Sequence, residues 1–310
     1  MTTFLIIIPF FAVIACGFIA SRRKIIDSAG RTGLNRFVYY FALPVLTFSL
    51  MAQSDLEDQF QLTFVVAYLC VAFTLFFLSF LVARLVFQLG RSLSVVFATA
   101  CIYGNTGYFG LPFVIIAFGQ DASVPVIVCT TIDLAVMLPL ASMMLEKSET
   151  GRKESSSNVY TASILSVIKN PLIVAAVLGA MLSLSGLQVP EAADRFVVLL
   201  GSAAAPCALF ALGSSIDEDR AEFLQLQIFV ISLIKLVIHP LLIWFAMSHL
   251  FSVDEGWARS AVIAAAMPVA VTAYILAQQY NIYVARTSAS ILLSTLVSVA
   301  TLTFIVTRVG

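Results

Sequence analysis

Long apolar stretches, separated by a few charged or turn-forming residues, run through the chain from end to end. An α-helix rising about 1.5 Å per residue needs about 20 apolar residues to cross a hydrocarbon layer about 30 Å thick. Ten stretches meet that length, at residues 4–21, 32–52, 61–87, 92–119, 122–145, 161–187, 190–213, 223–250, 257–280 and 284–307. The longest polar connector runs from Glu146 to Asn158, too short to hold a soluble catalytic or regulatory domain. The pattern predicts an all-α integral membrane fold whose ten transmembrane helices are solvated by the lipid bilayer.

The chain divides at that connector into residues 1–145 and 161–310, with 146–160 as a cytoplasmic linker. Five spans fall in each half, and an odd number per half forces two similar halves into opposite orientations. The prolines echo this division. Pro44 and Pro112 fall in spans two and four, and Pro206 and Pro268 in spans seven and nine. Proline lacks a backbone donor and clashes with the preceding turn, so the helix kinks or breaks, and within a bilayer a freed carbonyl is tolerated only against protein or a cavity. Span four carries the densest interruption, Gly104-Asn105-Thr106-Gly107-Tyr108-Phe109-Gly110-Leu111-Pro112. Close packing at the glycines with an ordinary proline kink is the plainer reading of that stretch. Matched breaks in spans four and nine lining a central site are the sharper one.

Composition supports the membrane assignment. Of 310 residues 61% are hydrophobic and only 11% are charged, against about 25% charged in ordinary soluble domains. The 17 basic and 17 acidic residues cancel, so the chain lacks the positive field of a nucleic-acid binder. Lys and Arg concentrate on one set of connectors, 13 against 3, with Lys235 inside a span. The richer side is expected to be cytoplasmic. An even number of spans then places both termini outside the cytoplasm, in an inner (plasma) membrane. The first span has its basic cluster after it rather than before it, the reverse of a secretory signal, and is expected to stay uncleaved. The five cysteines show neither CxxC spacing nor a histidine cluster, so they read as small core residues and no metal site is expected. No GxxxxGK[ST] phosphate loop is present, which leaves ion or solute gradients as the driving force. No Ser/His or paired-Asp arrangement with catalytic spacing stands out, so no enzyme is expected.

The motifs Leu34-Asn35-Arg36-Phe37-Val38, Phe41-Ala42-Leu43-Pro44, Gly104-Asn105-Thr106 with Gly110-Leu111-Pro112, Lys169-Asn170-Pro171, and Met267-Pro268 with Gln279-Tyr280-Asn281 follow one another along the spans. In that order they resemble the auxin efflux carrier family, which contains the plant PIN carriers and bacterial permeases of the malate and malonate type. The resemblance implies two inverted five-helix repeats, similar to bile-acid sodium symporters, with broken helices four and nine crossing near the bilayer centre. It implies an elevator-like or rocking movement, a homodimer, and an anion site at Asn105 beside the crossover prolines Pro112 and Pro268; the residues that follow in the same break, Thr106, Gly107 and Tyr108, complete the expected substrate segment. The acidic residue and lysine that PIN members carry in span three are missing between Leu62 and Val82, so their role does not transfer.

Asn105, Asp133, Lys235 and Pro268 all fall near mid-span by residue count. A charge at that depth costs about 2.5–3.5 kcal/mol on insertion scales, so Asp133 and Lys235 must be paired or functional. One reading makes them a structural ion pair between spans five and eight. The other has Asp133 exchange a proton or bind a cation while Lys235 attracts substrate. Asn105 serves either as a helix cap or as an amide donor to a carboxylate, and the uses are compatible. His239, before Pro240, is a candidate proton relay, although a proline-kink partner with a satisfied ring is the plainer role. The expected function is secondary transport of a small organic anion such as a mono- or dicarboxylate, without cofactor, with H+ or Na+ coupling left open. An anion channel and an intramembrane enzyme are the rivals.

Overall fold

The computed structural model describes residues 2–53, 61–149, 165, 168–187, 189–214 and 225–309. The linker residues 150–160 and the acidic connector 217–222 lie outside these. The helices are α1 (Thr2–Arg22), α2 (Ser28–Ala52), α3 (Leu62–Leu85), α4 (Arg91–Ile102), α5 (Thr106–Phe118), α6 (Ser123–Leu145), α7 (Pro171–Ser185), α8 (Glu191–Ser214), α9 (Leu226–Leu250), α10 (Glu255–Ala265), α11 (Val271–Gln279) and α12 (Val284–Val309). Among the described residues six helices, α2, α3, α6, α8, α9 and α12, are long and apolar enough to cross a bilayer, and shorter apolar helices lie at Phe11–Arg22, α4, α5 and α7. Their outward faces are as apolar as their cores, with Leu199 76% and Leu85 73% exposed. Water is a poor solvent for such faces and lipid a good one. The protein is a multi-pass, all-α integral membrane protein.

Local chemistry sets the helix starts. Asp27 caps α2 by accepting from the Gly30 N–H, and Asp254 caps α10 by accepting from Gly256 and Trp257. Asn170 caps α7 through the Leu172 N–H, with Pro171 in the first turn. The apolar run beginning at residue 161 therefore does not continue as one helix through this point. Asn170 is extended and α7 starts behind it, because the residue before a proline is pushed out of the helical region.

Several wide π-type turns sit inside the helices. Those at Val38–Ala42, Thr106–Gly110, Asp133–Met137 and Ile234–Ile238 are each followed, after one intervening residue, by a proline, namely Pro44, Pro112, Pro139 and Pro240. The intervening residue donates across the wider turn, as in Leu43 to Val38, Leu138 to Asp133 and His239 to Ile234. Proline's ring crowds the carbonyl four positions back, and a wider turn relieves that clash without ending the helix. Both intramembrane charges, Asp133 and Lys235, lie in such turns.

The chain divides into two compact units. The first comprises Met1–Leu62, Thr106–Thr131 and Lys169–Ile216, and the second Thr63–Asn105, Ile132–Ile168 and Asp217–Gly310. In the first unit α1 meets α8, and α2 meets α7, at glycine contacts. A Cβ placed on Gly17 would lie 2.1 Å from the Phe210 carbonyl oxygen, and one on Gly213 would lie 1.9 Å from that of Ile14. A Cβ on Gly179 would lie 2.6 Å from the Phe48 carbonyl oxygen. Helix backbones approach this closely only where no side chain intervenes. In the second unit Phe64, Tyr68, Phe76 and Phe97 are buried, and Phe64 meets the Trp257 ring edge-to-face at 4.9 Å.

Candidate functional site

The site is built where helices stop within the second unit. α4 ends at Ile102 and α10 at Ala265, and the extended residues that follow lie antiparallel, with Gly104 opposite Val269. The Asn105 N–H donates to the Pro268 carbonyl at 2.8 Å, and the Ala270 N–H donates to the Tyr103 carbonyl at 3.0 Å. This short ladder satisfies backbone groups that a break in a helix would otherwise leave unpaired in an apolar interior. The Val269 N–H is taken by the Ser294 hydroxyl of α12 at 3.0 Å. α11 restarts at Val271, so the amino end of a helix, with its partial positive charge, directly follows the ladder.

Asn105 is 3% exposed, and its side-chain Nδ2 has no hydrogen-bond partner. Its backbone N–H is used in the ladder, so the amide group itself is available to an acceptor. Pro268 accepts that backbone bond, which brings these two sequence-predicted residues together.

Lys235 is fully buried in the second unit. Its ammonium donates to the Ala265 carbonyl, the last of α10, and lies 3.1 Å from His239 Nδ1. A Cβ on Gly104 would lie 3.0 Å from Lys235 Nζ, so the ammonium is packed directly beneath the ladder. His239 is also buried, and its Nε2 has no partner. The ring is thus half satisfied, where the plainer sequence expectation had it fully satisfied. Asp133 is buried against the Tyr68 hydroxyl, which lies 3.1 Å from each carboxylate oxygen and shares one proton between them. The charge of Lys235 also acts on Asp133 through this interior.

The remaining predicted residues belong to the first unit. The Thr106 hydroxyl accepts from that of Thr130 at 2.8 Å. Gly107 faces open space where a Cβ would stand, and Tyr108 is half-buried. Pro112 lies in the first regular turn after the wide turn of α5. The long glycine-rich interruption expected in span four is therefore shorter in the structure, since only residues 103–105 leave the helix. The wide turn at Thr106–Gly110 absorbs the proline.

Sequence reasoning missed Tyr68 and Ser294. The signal for Ser294 was present, because Thr287, Ser290, Ser294 and Ser298 recur every three or four positions along α12 and all are buried. Such a polar stripe on an apolar helix marks a face turned toward protein rather than lipid. All five cysteines are free, with Cys101 and Cys129 buried but Cys16 and Cys70 exposed, so the latter two are not core residues. Among the described residues, no three His, Cys, Asp or Glu side chains gather as a metal would require.

Residues 2–306 match the family model described as "Membrane transport protein". The chain is 30% identical over 300 residues to the "Putative malonate transporter" of Rhizobium meliloti, covering 96% of this chain and 93% of that one. It is 27% identical over 308 residues to the "Uncharacterized transporter YfdV" of Escherichia coli K12, covering 97% and 96% respectively. With the "Uncharacterized transporter MJ1031" of Methanocaldococcus jannaschii the identity is 23% over 268 residues, 84% of each chain. A match over nearly the whole length to transporters, on a helical membrane fold, assigns this chain to the membrane transport protein family, as a transporter rather than an enzyme.

Proposed function

We propose that the protein is a secondary active carrier of a small organic anion, a mono- or dicarboxylate of the malonate or malate type, working by alternating access. The observation that carries this reading is the Asn105 amide. It is buried at the paired break with an unused donor, beside a ladder that leads into the amino end of α11. A carboxylate accepts hydrogen bonds and is favoured by such a helix end. No full positive charge need be spent on holding it, which suits a solute that must also be released. The name of the Rhizobium meliloti relative agrees with this substrate class.

In this reading the chain forms ten spans in two inverted five-helix repeats, residues 1–145 and 161–310, with both termini outside the cytoplasm. The glycine contacts support it. Gly17 and Gly179, Pro44 and Pro206, and Phe48 and Phe210 are each 162 positions apart, and each glycine meets the carbonyl of the other repeat's phenylalanine. The substrate segment is Asn105, Thr106, Gly107 and Tyr108, with Pro112 and Pro268 as the crossover prolines. Asp133 and Lys235 hold the crossover or couple it to an ion, and two copies associate as a homodimer.

Uptake of radiolabelled malonate and other short carboxylates into proteoliposomes tests the reading. A saturable flux accelerated by internal substrate, and reduced at least about tenfold by Asn105→Ala at equal expression, is expected from the loss of a buried donor to a charged acceptor. Normal transport by Asn105→Ala would overturn the site, and non-saturating flux with unitary conductance steps would replace the carrier by a channel.

A further inference from the structure

We infer that Lys235 is a built-in counter-cation: its ammonium takes the position beneath the crossover that a mobile coupling ion would otherwise have to fill, so Na+ does not drive the cycle. The argument starts from where α4 and α10 end. Each helix presents its carboxyl end to the ladder, and each such end carries about half an elementary negative charge. Together these two carboxyl ends amount to about one negative charge among buried groups, apart from the positive amino end of α11 that follows the ladder. One cation cancels that, and the cation present is Lys235, donating to the Ala265 carbonyl at the end of α10 and pressed against Gly104 just beyond the end of α4.

The surroundings suit an ammonium and not a metal ion. Sodium or calcium wants several oxygen ligands around a hollow. Here the lysine stem fills the space, its Cε only 3.2 Å from where a Gly104 Cβ would be. On another side stands a ring nitrogen, His239 Nδ1, at 3.1 Å. An ammonium has donors only, so that nitrogen is the acceptor and the imidazole carries its proton on Nε2. The ring is then neutral, and the position holds one positive charge rather than two. A side chain of any kind on residue 104 would push the ammonium away from the ladder, which explains a glycine beside the key asparagine.

A tethered charge stabilises the crossover in every state of the cycle and never leaves with the solute. Sodium therefore has no work to do at this position. This consequence rests on the carrier reading, whereas the structural half does not, and the two are separable by experiment.

The full-length protein, purified in detergent, is melted in NaCl and in choline chloride at equal ionic strength. Wild type is expected to show no saturable response to Na+. Lys235→Ala, which opens the space and removes the charge, is expected to melt about 5 °C lower or more, and to recover part of that loss on addition of methylammonium or Na+ but not choline. Lys235→Met keeps the volume without the charge; it is expected to be destabilised without cation recovery, and serves as the decisive variant if Lys235→Ala does not fold. Malonate flux in wild-type proteoliposomes is expected to change less than about twofold when choline replaces Na+, where a coupled ion would change it about fivefold or more. A saturable, Na+-specific stabilisation of wild type, or a Lys235→Met protein as stable as wild type, overturns the inference. Absence of any carboxylate flux would instead count against the carrier reading and leave the melting result to decide the role of Lys235.

Discussion

The two units hold together by different means. In the first, helices touch backbone to backbone at Gly17, Gly179 and Gly213, with no room for a methyl group. In the second, the buried polar groups do the joining: Tyr68 with Asp133, Lys235 with Ala265, and Ser294 with Val269. Among the described residues, the buried acidic and basic side chains are Asp133, Lys235 and His239, all in the second unit. The lesson is about what lipid permits. Because hydrocarbon offers no hydrophobic gain for helix association, stability comes either from very close contact or from polar groups with nowhere else to bond. The first solution leaves no space between helix backbones at those glycines. The second tolerates broken helices and leaves donors such as Asn105 Nδ2 to spare.

This contrast makes the units sensitive to opposite substitutions. The largest effect is expected from Gly213→Ala, whose new methyl would fall 1.9 Å from the Ile14 carbonyl oxygen. Overpacking of that severity costs about 3 kcal/mol and should appear as loss of the monodisperse protein peak after detergent extraction. Recovery of a normal peak and melting temperature would show that α1 and α8 can separate freely. Next comes Tyr68→Phe, which removes the hydroxyl from a buried carboxylate; about 1.5–2 kcal/mol is expected, measured as a lower apparent melting temperature. Unchanged melting would mean that Asp133 is held by other groups.

Ser294→Ala leaves the Val269 N–H without its described partner and is expected to cost about 1 kcal/mol. Flux should fall more than stability does, because the ladder beside Asn105 loosens; equal losses would make Ser294 a purely structural support. The smallest effect is expected from Thr130→Val in the first unit, which removes one hydroxyl contact to Thr106. A change below about 0.6 kcal/mol, the average for such bonds between membrane helices, would sharpen the contrast. A collapse in stability would erase it, by showing that polar contacts hold the first unit too.

Much of the fold could be read from the pattern of residues. Several of the ten apolar stretches begin within a residue or two of a helix, at Leu62, Ser123, Glu191 and Val284, whereas stretches four and nine each hold two helices. Span length follows from bilayer thickness and apolar composition, both of which are linear properties of the chain. The apolar run of span six begins at residue 161, but its helix α7 starts only at Pro171, because at Asn170–Pro171 backbone geometry outweighs hydrophobicity. The breaks in spans four and nine were legible from glycine and proline, but their lengths were not. Glycine permits departure from the helix without requiring it, and Gly107 and Gly110 remain in wide helical turns.

The charges show the same limit. That Asp133 and Lys235 sit at mid-span follows from counting alone. His239, four positions after Lys235 on the same helix, is also within reach of counting, but Tyr68 and Ala265 come from other helices whose rotations the apolar pattern leaves undefined; where every face of a helix is apolar, the sequence carries little information about which face turns inward. The amino-acid sequence therefore determined the solvent, the number of apolar segments and the points where helices can yield. Only the tertiary structure decided that two of those points pair edge to edge in one unit, with an ammonium beneath them and an asparagine amide beside them, since such pairing depends on contacts between residues more than 160 positions apart.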